Sequence, residues 1–219
     1  MTFQRARSEE QREIRRRAIL DTAAAMLDEM PVAEMSLNEL SRRVGLAKSN
    51  VLRYFESREA VLLELQDAFM GSWLAELADE LDAGVEATAE TRAGRLAEIL
   101  GRSLSERVVL CHLLGAQGAV LERNVSVEVA KAHKRSSLIR LTDMADLMRR
   151  HLPELGDGAQ KFCFMSLISA GALSTYVPTP PSLLAVYADE PALGVLHPEL
   201  REALQSSFVA MLVGVLPRA

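Results

Sequence analysis

Aromatic side chains are scarce in this chain, at 5% of 219 residues. No stretch of alternating β-branched residues is long enough to argue for a sheet. Ala, Leu, Glu and Arg dominate instead, and these are good helix formers, so the expected fold class is all-α. Cysteine is nearly absent. Cys111 and Cys163 are the only two, and neither has metal-ligand spacing to another Cys or a His beyond the weak neighbour pair Cys111 and His112. Two unpaired thiols fit a reducing cytosol. The four histidines, at 112, 133, 151 and 197, include no pair at i+3 or i+4, and no acid–base set converges by spacing. The expectation is therefore no metal site, no cofactor, no catalytic residue and no enzyme. Long apolar runs are missing too. The longest uncharged run, Phe162 to Ala188, has a helical part ending near Val177, before Pro178, Pro180 and Pro181. That part falls short of the ~20 residues that span a bilayer and carries Ser and Thr. The polar, Arg-rich start argues against a secretory signal, so a cytoplasmic protein without a membrane partner is expected.

What the chain does have is length for one or two substantial cores and an uneven charge. The net charge is −5, yet residues 1–58 hold 11 Lys or Arg against 9 Asp or Glu, a net +2. The remainder, 14 against 21, is net −7. A slightly basic head thus precedes an acidic body. An acidic body does not forbid nucleic-acid binding, because the local field at the contact surface decides it.

Residues 1–7 read as an arm. From Ser8 to about Met30 the apolar positions follow helical spacing, and Pro31 ends the pattern. Ser36 with Glu39 three residues on forms a capping box, opening a helix whose buried stripe is Leu37, Leu40 and Val44. Gly45 suits the left-handed residue just past a helix end. A short helix resumes near Lys48, with Val51 and Phe55 on one face. Ser57 caps the long helix that follows. Helix, glycine turn, helix is the helix-turn-helix layout. If Val51 and Phe55 face the core, then Lys48, Ser49, Asn50, Arg53 and Tyr54 can reach phosphates or base edges in a major groove. Arg42, Arg43 and Arg58 suit phosphates. The competing reading of each is a solvated helix face. Arg5, Arg7, Arg12 and Arg15 to Arg17 are either a backbone-touching arm or solvated arginines beside Glu9, Glu10 and Glu13.

Beyond, a loop with Gly84 and Thr88 to Thr91 leads to helices over about 92–104, 106–123, 127–152 and 159–177. A Pro-rich loop follows, with a small element over 192–197. A last helix runs over about 198–216.

The segment "SLNELSRRVGLAKSNVLRYFESREAVLLEL" resembles the DNA-binding segment of TetR-type transcriptional regulators. The resemblance covers about a fifth of the chain, from Leu20 to about Leu65. It implies a DNA-binding head over 8–70 and a ligand-binding, dimerising helical body over 71–219. Double-stranded DNA, a second copy of the chain and a small-molecule effector are the implied partners. It further implies DNA contacts at Ser36, Arg42, Arg43, Lys48, Ser49, Asn50, Arg53, Tyr54 and Arg58. Two positions depart from the family pattern: Leu52 stands where a tyrosine is common, and Ala47 where Ser or Thr often caps the recognition helix. The implied role is a ligand-released repressor on a palindromic operator. An activator, a ligand-blind regulator of the same fold, or a helical adaptor binding protein remain open.

In the body, polar residues among apolar ones are the clues to a ligand: His112, Gln117, Asn124, His133 and Tyr176. Trp73, Met144, Phe162 and Met165 complete the candidate lining, with core packing as the competing role for each. Small side chains at Ser166, Ala170 and Ser174, with Leu204, Phe208, Met211 and Val215 on the last helix, form the candidate dimer interface. Packing of the same helices within one chain is the alternative.

Overall fold

The computed structural model describes residues 2–81 and 88–216, with side chains from Glu9 onward. The expected loop at Gly84 and the side chains of Arg5 and Arg7 lie outside the described residues. All regular structure described is helical: α1 (Thr2–Glu29), α2 (Leu37–Val44), α3 (Lys48–Val51), α4 (Arg58–Leu81), α5 (Ala89–Ser105), α6 (Val108–Ala116), α7 (Val127–His151), α8 (Gly158–Ser174), α9 (Pro181–Asp189) and α10 (Leu200–Val215). The arm expected over residues 1–7 is a continuation of α1 from Thr2; no Pro or Gly interrupts the chain before Pro31.

Two apolar cores organise these helices. The head core joins Ile19, Ala23 and Met26 of α1, Leu40 of α2, Val51, Phe55 and the start of α4 from Ala60 to Leu65. The body core joins Met70 to Leu81 of α4 with α5, α7, α8 and α10. The 24-residue α4 therefore belongs to both. Leu113 of α6 and Leu121 also pack in the head core.

Three sequence expectations change here. The helix read over 106–123 ends at Ala116. It gives way to a π turn over Gln117–Leu121 and a 3-10 turn over Glu122–Asn124. The Pro-rich loop contains α9. Pro181 sits in its first turn, where a missing N–H costs nothing. The dimer stripe is the third. Ser166, Ala170, Ser174, Leu204 and Phe208 are buried within the chain, and Met211 and Val215 are half-buried against the body core. Phe208 meets Phe162 edge-on, with ring centroids 6.5 Å apart.

α8 crosses α6 closely at Gly171. A Cβ on Gly171 would lie 2.7 Å from the backbone nitrogen of Gly115, so the two helices touch at backbone level. His112 fixes the same crossing. Its Nε2–H faces the carbonyl oxygens of Ser174 (3.0 Å) and Val177 (2.8 Å), which sets the tautomer because both partners are acceptors. Gly171→Ala is expected to force α6 and α8 apart and to destabilise the fold by about 1–3 kcal/mol. The check is a lower urea midpoint with secondary structure retained below it.

Candidate nucleic-acid interface and effector cavity

The head presents its polar face through one short helix. Ser36 Oγ accepts from the Glu39 N–H at 3.1 Å and caps α2. The reciprocal half of the expected capping box is not made, because the Glu39 carboxylate is held by Arg42 and Arg43. Ser36 thus has a structural task at the helix start. Gly45 takes φ 72°, the left-handed conformation that turns α2 into α3. α3 is only four residues long, and Ala47 offers its N–H groups no side-chain cap. Hydrogen bonds from Tyr54 N and Phe55 N to the Val51 carbonyl (2.9 and 3.1 Å) extend the turn. Burial of Val51 and Phe55 holds it in place; each such side chain contributes about 1.5–3 kcal/mol.

With those two inside, Lys48, Ser49, Asn50 and Arg53 are exposed. None of the four side chains has a hydrogen-bond or ion-pair partner among the described residues. Leu52 is exposed beside them, and Tyr54 is half-buried against the head core.

The other arginines behave differently. Arg42 binds Glu39 through Nε (2.9 Å) and Nη2 (2.6 Å). Arg43 binds Glu39 (2.9 Å) and Glu29 (2.6 Å). Hydrogen bonds from Arg42, then Arg43, hold the Glu39 carboxyl down at about 2. Arg58 turns inward, donating to the Ala33 and Met35 carbonyls at 3.1 and 2.9 Å. Arg58, expected at a phosphate, thus ties the α1–α2 loop to α4. Arg16 of the expected arm is likewise internal. It pairs with Glu64, donates to the Tyr54 carbonyl (2.9 Å) and lies 4.3 Å over the Phe55 ring.

The body holds a cavity of about 430 Å³ between α4, α6 with its π turn, α7 and α8. Its apolar wall includes Met70, Leu114, Leu138, Leu141, Leu167 and Ile168; its polar wall includes Gln66, Asp67, Gln117, Glu122, His133, Lys134 and Arg140. Arg140 grips Asp67 with two 3.0 Å bonds and so ties α7 to α4. Burial works to raise the Asp67 carboxyl, but the bonds from Arg140 and Ser136 outweigh it and leave it low. Glu122 follows the same pattern: burial raises it, and Lys134 and Gln117 more than offset that. Burial pushes His133 down against the pull of Glu122, favouring a neutral ring. Asp67 and His133 also border a second, wetter cleft of about 670 Å³ that reaches the Leu52–Glu56 turn of the head.

Of the expected lining, Gln117 is in the cavity wall, as is His133. Trp73, Met144 and Phe162 are core, and the Trp73 indole N–H donates to Ser103 Oγ at 3.1 Å. His112 is bound to α8, Met165 and Tyr176 lie exposed on the surface, and Asn124 donates to the Val120 carbonyl at 2.7 Å. Gln66, Asp67, Glu122, Lys134 and Arg140 were not anticipated. Gln66 alone carried a signal, as an amide at i, i+4 spacing between Leu62 and Met70 on a buried stripe.

A helix-turn-helix head with an unpaired polar face, sharing helices with a cavity-bearing body, defines a DNA-binding regulator. The chain belongs to the TetR family. Residues 19–65 match the family described as bacterial regulatory proteins, tetR family, and residues 67–219 match the tetracyclin repressor-like C-terminal domain. Among curated relatives, it is 42% identical over 50 residues to the HTH-type transcriptional regulator EthR of Mycobacterium tuberculosis, covering 23% of each chain. It is 28% identical over 140 residues to an uncharacterized HTH-type regulator in the dhlA 5′ region of Xanthobacter autotrophicus, covering 63% of this chain and 65% of the other. The chain therefore spans about a quarter of the first relative's length and just under two thirds of the second's. Its fold is similar to that of FadR from Bacillus subtilis in complex with stearoyl-CoA, with a TM-score of 0.51 and 14% identity over 91% of this chain and 98% of that one.

Glu39→Gln is expected to release Arg42 toward a phosphate, while Arg43 keeps its Glu29 partner. Affinity for mixed-sequence DNA should rise, and its log–log salt dependence should steepen by about one unit. Fluorescence anisotropy across a salt series measures both.

Proposed function

We propose that this chain is a cytoplasmic, ligand-released repressor that binds a palindromic operator as a homodimer. The carrying observation is the position of α6 and its π turn. Leu113 and Leu121 pack in the head core, while Leu114, Gln117 and Gly118 line the cavity. A molecule that displaces the cavity side displaces the residues beneath the recognition helix. Ser57 and Glu56 add a second junction, to the Asn124 carbonyl (3.4 Å) and the Ser126 N–H (2.6 Å).

The dimer reading moves to the outer faces of α8 and α10. Met165 on α8 and Tyr176 just past its end, with Val209 and Val213 on α10, are exposed apolar side chains on or beside the two helices that the small-residue stripe had suggested. A two-fold assembly through them would present two copies of α3. Binding successive major grooves requires a separation of roughly 34–36 Å, one DNA turn. A ligand that prefers another separation lowers DNA affinity by its differential affinity for the two states, typically ~1–3 kcal/mol.

Asn50 is suited to adenine and Arg53 or Lys48 to guanine, each pair discriminating by ~1–3 kcal/mol. Asn50→Ala and Arg53→Ala should each weaken binding to the operator by roughly tenfold or more, with an unchanged melting temperature. The operator is sought as a palindrome flanking the coding region. Unchanged affinity in both folded variants would rule out this recognition face.

A further inference from the structure

Gln66, in the cavity wall, carries a buried polar atom with no partner among the described residues. Gln66 is 4% exposed, and its Oε1 has no hydrogen-bond partner, whereas its Nε2 donates to Gln117 Oε1 at 2.5 Å. The orientation of this amide follows from its neighbours. Lys134 Nζ lies 2.5 Å from Glu122 Oε1, which marks an ionised acceptor. The Gln117 atom 2.6 Å from that same oxygen must therefore be its NH₂. Gln117 then turns its oxygen to Gln66, and Gln66 must answer with its own NH₂. The relay ends on an acceptor, Gln66 Oε1. A buried acceptor left unpaired costs free energy that an arriving donor restores.

The charges around it are already paired with one another. Arg140 is held by Asp67 and Lys134 by Glu122. An anionic or cationic ligand would be desolvated without an opposite charge of its own. The facing wall, from Met70 and Leu114 to Leu138, Leu141, Leu167 and Ile168, is apolar. We propose that the cavity binds an uncharged amphiphile, an apolar body bearing a hydroxyl or amide N–H that donates to Gln66 Oε1. This rests on the effector reading of the cavity above.

Isothermal titration of the full-length protein with four ten-carbon probes tests it: decan-1-ol, decyl methyl ether, decanoate and decylammonium. Decan-1-ol should bind tightest, about tenfold tighter than the ether, which has the chain but no donor. In Gln66→Met the alcohol and the ether should converge to within about twofold. In Glu122→Gln, where either amide orientation is satisfied, the gap should narrow as well. Equal affinity of alcohol and ether for the unaltered protein, tighter binding of either charged probe, or no binding by any of the four overturns the proposal. Operator release is read separately. An alcohol that binds with this selectivity yet leaves operator affinity unchanged refutes the effector role and leaves the ligand class standing.

Discussion

The two cores of this protein cannot move independently, because they are built partly from the same helices. α4 places Ala60 to Leu65 under the recognition helix and Met70 to Leu81 in the body. α6 contributes Leu113 to the head and Leu110 and Cys111 to the body. Close-packed interiors transmit displacement rather than absorb it. Under the proposed function, a change in how α6, α7 and α8 surround the cavity reaches Val51 and Phe55 through these shared helices. The π turn after α6 sits at this junction. A π turn interrupts regular helix, so a break in regular helix lies where the cavity wall and the head core share a segment.

Electrostatics divide the head's cations into two groups that composition does not separate. Lys48 and Arg53 are free among the described residues, whereas Arg16, Arg43 and Arg58 are drawn onto carboxylates and carbonyls of the head itself. The net +2 of residues 1–58 therefore overstates how much positive charge a duplex would meet. Exposed ion pairs contribute little to stability. The pairing of Arg42 and Arg43 with Glu39 matters more for the field the head projects outward.

Much of the head was legible in the sequence because its signals are local. A capping serine, a glycine that must take positive φ, and two apolar residues four apart fix a helix-turn-helix with little help from elsewhere. The body was legible as helices but not as a site. Asp67 and Arg140 are separated by 73 positions, and no periodicity announces such a pair. Small residues along α8 signal a close helix crossing without saying whose helix is crossed, so Ser166, Ala170 and Ser174 read as a dimer contact, with packing of the same helices inside one chain as the alternative. Arg58 shows a related limit: a sequence displays a charge but not the carbonyls that fold up beside it. Proline misled at α9, where three breakers in four positions hid a helix that one of them begins.

Arg16 lies at the meeting point of α1, the end of the recognition turn and α4. It joins the Phe55 ring, the Tyr54 carbonyl and the Glu64 carboxylate around one guanidinium. Planar and forked, that group has no close substitute, lysine included. Genetic screens for lost regulation will collect lesions at this arginine alongside those at true base-reading positions. The two kinds share a phenotype and differ in cause, one removing a reader of the duplex and the other loosening the frame in which the reader is mounted.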